Sequence, residues 1–102
     1  MQIWKYPLNV GHGAETILLV PRAIPEKPEA LHVGLDPVGT PCVWYKVDPT
    51  AAKIPIRWVC IGTGHDIPEK VNKGYWHVDS VVDVKSMPPY EFVWHFFESL
   101  DD

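Results

Sequence analysis

The residues best suited by type and spacing to do chemistry are Gly62-Thr63-Gly64-His65-Asp66. They close a run of bulky and β-branched residues, Ile54 to Ile61. Two glycines permit positive φ, and successive N–H groups in such a turn can form a concave nest for an anion. Thr63 and His65 add side-chain donors. Arg57, five residues upstream, supplies a cation able to pair with a phosphate, and an exposed Trp44 or Trp76 would stack a flat ring. The pattern fails as a dinucleotide fingerprint: the third glycine is missing, Ile67 follows, and Pro68 stands where a helix should begin. It also lacks the lysine of a P-loop. The competing reading of the same five residues is a strand-exit turn whose glycines serve geometry alone.

The remaining candidates are weaker. The five histidines are His12, His32, His65, His77 and His95. No two have the i, i+4 spacing of a helical zinc site, and none is close to a cysteine, so no metal ligand set and no cofactor are expected. His32, His77 and His95 fall within strand-like runs and read as hydrogen-bonded sheet residues. Were the strands of His32 and His95 neighbours, the two rings would line one pocket. Asp79, Asp83, Glu91 and Glu98 show no pairing suited to acid–base work, and Ser80 and Ser86 lack a nucleophile elbow. No catalytic residue is expected; a small hydrolase ranks as the third reading.

Length and composition set the frame. A chain of 102 residues makes one domain with a single core. It is 46% hydrophobic, with five Trp, and its 11 Pro and seven Gly favour short strands joined by turns over long helices. Net charge is -4, and Lys and Arg are scattered, which argues against binding nucleic acid or an anionic membrane surface. Cys42 and Cys60, each flanked by apolar residues, read as small buried hydrophobes of a reduced cytosolic protein. No signal peptide or membrane helix is discernible.

Hydrophobic patterning places the elements. Strands are expected at Gln2 to Tyr6, Glu15 to Val20, Leu31 to Leu35, Thr40 to Val47, Ile56 to Ile61, Gly74 to Val84 and Tyr90 to Glu98. Leu31, Val33 and Leu35 alternate onto one face. Asp36-Pro37-Val38-Gly39 has turn chemistry, so residues 31 to 47 form a hairpin. In its second strand Cys42, Trp44 and Lys46 share one face and Val43, Tyr45 and Val47 the other, with protein expected on both sides. Ile56, Trp58 and Cys60 oppose Arg57, Val59 and Ile61. Phe92, Trp94 and Phe96 are core. The proline-rich stretch 21–30 is a surface loop, and one helical turn fits near 49–53 or 66–72. The sum is an all-β domain with at most one short helix: a small antiparallel β-sandwich or partly open barrel of six or seven strands.

The opening IWKYPL, the hairpin segment PCVWYKVDP, the turn GTGHDIP and the closing FVWHFFE occur in this order. Together they resemble a family of small phage- and prophage-encoded β-domains of unknown function. The resemblance spans nearly the whole chain. It implies a phage accessory protein made in the bacterial cytosol, of a kind that binds host proteins or sequesters a host defence signal. The leading expectation is a non-catalytic protein that binds a small anionic ligand, such as a nucleotide, at Gly62–Asp66 and self-associates through its aromatic surface. The alternative is a protein-interaction or virion-associated module without a small-molecule site.

Overall fold

Seven strands and one short helix build the domain: β1 (Gln2–Pro7), β2 (Glu15–Pro21), β3 (Glu29–Leu35), β4 (Pro41–Val47), β5 (Lys53–Gly62), α1 (Glu69–Gly74), β6 (Trp76–Asp83) and β7 (Phe92–Ser99). The structure is a computed structural model that describes residues 1–21, 29–83 and 92–99. Two antiparallel sheets, ordered β1-β4-β3 and β2-β5-β7-β6, face each other without closing into a barrel. This is the expected sandwich. The proline-rich stretch at 22–28, the break at Met87–Pro89, the Phe92 side chain and the tail from Leu100 lie outside the described residues. The ends of the expected 21–30 loop are strand: Pro21 closes β2, and Glu29 and Ala30 open β3.

Alternation along the strands makes the core. Val33, Val43, Tyr45 and Val47 of the smaller sheet meet Leu18, Val20, Ile56, Trp58, Cys60, Val81 and Phe96 of the larger one. The expected faces of β4 and β5 are the observed ones, with one correction: the outer side of β4 is not covered by protein along its length. There Cys42 is buried, Trp44 half-buried and Lys46 exposed. A second correction concerns β3. Its register shifts between Ala30 and His32, so Ala30, Val33 and Leu35 pack inward while Leu31 is 44% exposed. One extra residue in a bulge reverses the phase of a period-two pattern.

The sheets are also joined by polar atoms. Trp58 Nε1 donates to Tyr45 Oη at 3.1 Å, and Tyr45 Oη in turn donates to Glu98 Oε2 through a short bond. All three side chains are essentially sealed from solvent. Burial, and then the negative charge of Glu98, pushes the Tyr45 hydroxyl far above the usual phenol range. Burial likewise raises both thiols; Cys42 and Cys60 are free and lie in different sheets.

The helix sits over the outer face of the larger sheet. Its i, i+4 pair Glu69–Lys73 closes at 2.6 Å in the orientation that suits the helix dipole. Val71 is its buried residue and packs on Val59 and Ile61 of β5, with Tyr75 and Phe97 at the margin. The sequence allowed one helical turn, near 66–72 or near 49–53. The first is close to α1; the second is instead a turn, in which Asp48 Oδ1 accepts from Thr50 N at 3.0 Å and Thr50 Oγ1 at 2.7 Å. Among the described residues no helix is long and apolar enough to cross a membrane.

Candidate functional site: a histidine-lined pocket at the glycine corner

Strand β5 delivers the glycine corner to the outer face of the larger sheet. Gly62 is buried, and an added Cβ there would meet His65 and Trp94 at 3.1 Å each. The backbone then reverses through Gly64, whose φ of +87° is a conformation that L side chains rarely adopt. Thr63, Gly64, His65 and Asp66 are all exposed. Beside them opens a pocket of about 310 Å³, lined by Ile61, Gly62, Thr63, Gly64, His65, Ile67, His77, His95 and Phe97. Its walls are mostly aliphatic or aromatic, and three imidazoles and one hydroxyl supply the polar atoms.

Three of the five amides at the corner already have partners. Gly62 N–H points to His12 Nδ1 at 3.4 Å, Thr63 N–H donates to Val93 O at 3.2 Å, and His65 N–H donates to Gly62 O at 3.2 Å. That leaves the side chains, with the remaining amides of the corner, to meet a ligand. His65 is held by the stacked ring of His12, with centroids 4.1 Å apart and planes at 17°.

Behind the pocket runs a chain of hydrogen bonds that crosses three segments. Thr63 Oγ1 donates to Val93 O at 3.2 Å and lies 2.7 Å from His95 Nε2. His95 Nδ1 lies 2.6 Å from Ser80 Oγ, and Ser80 Oγ is 2.9 Å from His77 Nε2. The backbone N–H of Ser80 donates to Asp79 Oδ1 at 2.8 Å. A register shift in β6 makes the chain possible. His77 pairs with Phe97 and Ser80 with His95, with the irregularity between His77 and Asp79. In a regular strand residues three apart face opposite sides; the bulge puts His77 and Ser80 on the same side.

Of the residues singled out in the sequence, Gly62, Thr63, Gly64 and His65 line the pocket, and Asp66 stands next to them without lining it. Arg57 does not join them. It pairs with Ser99 and stands five residues back along β5, roughly 17 Å at strand rise. Trp44 lies on the other sheet, its ring 5.3 Å from that of His32, and Trp76 pairs with Glu98 at the far end of β6. The expected sharing of a pocket by His32 and His95 is also corrected: β3 and β7 belong to different sheets. His12, His77, Ser80 and His95 are the members that sequence reasoning missed as a group. Among the described residues no group of three or more His, Cys, Asp or Glu is placed to hold a metal.

Fold and site thus define an open two-sheet β-sandwich with a histidine-lined pocket at a strand-exit corner. A family model described as a domain of unknown function (DUF7352) matches residues 1–102, and the chain belongs to that family. No curated protein and no solved structure matches it.

Proposed function

We propose that this protein binds a small anionic ligand with a flat ring, such as a nucleotide, in the pocket beside Gly62–His65. The observation that carries this reading is the convergence of His65, His77, His95 and Thr63 on an apolar-walled opening. Its volume falls at the small end of the range for ligand sites, and its few polar groups are of the kind that orient a bound molecule. Phe97 and the imidazoles offer faces to a ring, and a protonated imidazole donates to an anion. With a net charge of -4 the protein has no broad field to draw an anion in, so recognition is local. The sequence resemblance adds the biological setting: a phage accessory protein in the bacterial cytosol, sequestering a nucleotide signal of host defence. Thermal-shift measurements against a panel of linear and cyclic nucleotides test the reading. At least one should raise the melting temperature, and His65→Ala should abolish that rise while leaving the unliganded transition in place. No shift across the panel contradicts it.

A second reading, self-association, is favoured by the edge strand β2. Ala14 O accepts from Cys60 N on β5, whereas Glu15 O accepts from Asn9 Nδ2 on the other side. Main-chain groups of Ile17 and Leu19 therefore face away from the sheet, and their side chains are 56% and 58% exposed. An apolar edge of this kind invites pairing with a second copy. The surface concerned is aliphatic rather than the aromatic one expected from the sequence. Light scattering should show a dimer that Ile17→Lys converts to monomer; an unchanged mass in the variant, or a monomeric parent, contradicts it.

A further inference from the structure

The hydrogen-bond chain behind the pocket can order its protons in either of two directions, and the order taken here is the one set by the Thr63 bond to the Val93 carbonyl. In that order Thr63 Oγ1 donates its one proton to Val93 O and accepts from His95, which then carries its proton on Nε2. In neutral His95 the Nδ1 is then an acceptor, and the group 2.6 Å away that donates to it is the Ser80 hydroxyl. Ser80 Oγ has spent its proton and accepts from His77 Nε2–H at 2.9 Å. The order runs in one direction: His77 to Ser80 to His95 to Thr63 to the Val93 carbonyl. Every nitrogen in it is engaged except one. His77 Nδ1 has no hydrogen-bond partner among the described residues, and the His77 ring lines the pocket.

We infer that His77 is the group at which this site takes up a proton, and that Ser80 and Thr63 hold His95 in its neutral, Nε2-protonated form. A proton added to His77 Nδ1 disturbs no bond of the chain. A proton added to His95 Nδ1 meets the Ser80 hydroxyl proton and forces Ser80 and His77 to reverse their roles. Other titratable groups surround the chain: His65, with His12 stacked on it, Asp66 beside His65, and Asp79, which accepts from the Ser80 backbone. None of these sits on His77 Nδ1. The pocket therefore gains its positive charge at a ring on its lining, where an anion can use it. This deepens the proposed function, because it names the residue that would meet the anionic group and makes binding proton-linked. Ser80 is a positioning residue in this arrangement.

The test is a titration of the ligand-free protein labelled with ¹⁵N at histidine, followed by ring ¹H–¹⁵N correlations from about pH 8 to about pH 5, the span in which imidazoles change charge. His95 should keep a protonated Nε2 and a bare Nδ1 over the range in which His77 gains its Nδ1 proton. Ser80→Ala should release His95 to titrate alongside His77, and Ser80→Thr, which keeps the hydroxyl, should restore the parent pattern. A His95 that titrates with or before His77 in the parent protein overturns the inference, as does a free-protein spectrum with the proton on His95 Nδ1. Sulfate, which does not itself titrate in this span, separates this from the binding proposal. Proton uptake on sulfate binding, lost in His77→Gln, supports both. The expected spectra without sulfate binding support the proton assignment and contradict the anion reading. Sulfate binding without proton uptake supports the anion reading and overturns the role given to His77.

Discussion

Tyr45→Phe is the perturbation whose cost can be worked most closely from the structure. It removes one oxygen and almost no volume, so packing changes little. What it leaves is polar: Trp58 Nε1 loses its acceptor, and Glu98 Oε2 loses its donor, both in side chains essentially sealed from solvent. A stranded buried donor such as Trp58 Nε1 costs about 1–3 kcal/mol, and the bond that the buried Glu98 carboxyl loses adds to that. The expected loss is therefore about 3–4 kcal/mol. In a domain of this size, where 1 kcal/mol moves the melting temperature by about 4–8 °C, that is a drop of at least about 12 °C. Chemical denaturation by urea, read by Trp fluorescence, measures it directly. A pH arm follows from the raised phenol. The folded state keeps the Tyr45 proton while the unfolded chain ionises near the ordinary phenol value, so stability is full below about pH 10 and falls above it. Tyr45→Phe should flatten that alkaline slope. A loss under about 1 kcal/mol with an unchanged slope would refute the claim that this cluster links the sheets.

Other variants probe the elements around the site. Gly64→Ala places a Cβ in a left-handed turn with open space around it, so it should cost about 1 kcal/mol in denaturation experiments and leave the fold intact. Val71→Ala removes the buried anchor of α1; a loss of about 2 kcal/mol and faster amide exchange across residues 69–74 are expected. Asp36 accepts from the Thr40 and Val38 amides and pairs with Lys5 at 3.2 Å, which holds its carboxyl below the usual range. Its contribution is present above the ordinary carboxylate range and is lost as pH falls through the lowered value, so Asp36→Asn should weaken the dependence of stability on pH on the acid side.

Much of the fold follows from patterns visible along the chain, and the site follows only in part. The shared face of Val43 and Tyr45, that of Trp58 and Cys60, and the Asp36–Gly39 turn are period-two and turn chemistry, which depend on local residues alone. The glycine corner is also local: Gly64 turns the chain, and His65 and Thr63 come with it. The histidine chain is different. His77 and Ser80 share a face only because β6 bulges, and Ser80 meets His95 only because β6 pairs with β7 in one register. Neither a bulge nor a register across strands is written in residue spacing. Arg57 and Trp44 show the converse error: residue types suited to a ligand, placed by the sheet too far from the corner to share one.

The most direct test of the central claim is to map where adenosine monophosphate perturbs the backbone amide spectrum of the protein near pH 6. The account predicts shifts concentrated at Thr63, Gly64, His65, His77 and Phe97, with Trp44 and Leu31 on the other sheet unmoved. Perturbations centred on the outer face of β3 and β4, or none at millimolar nucleotide, would contradict it.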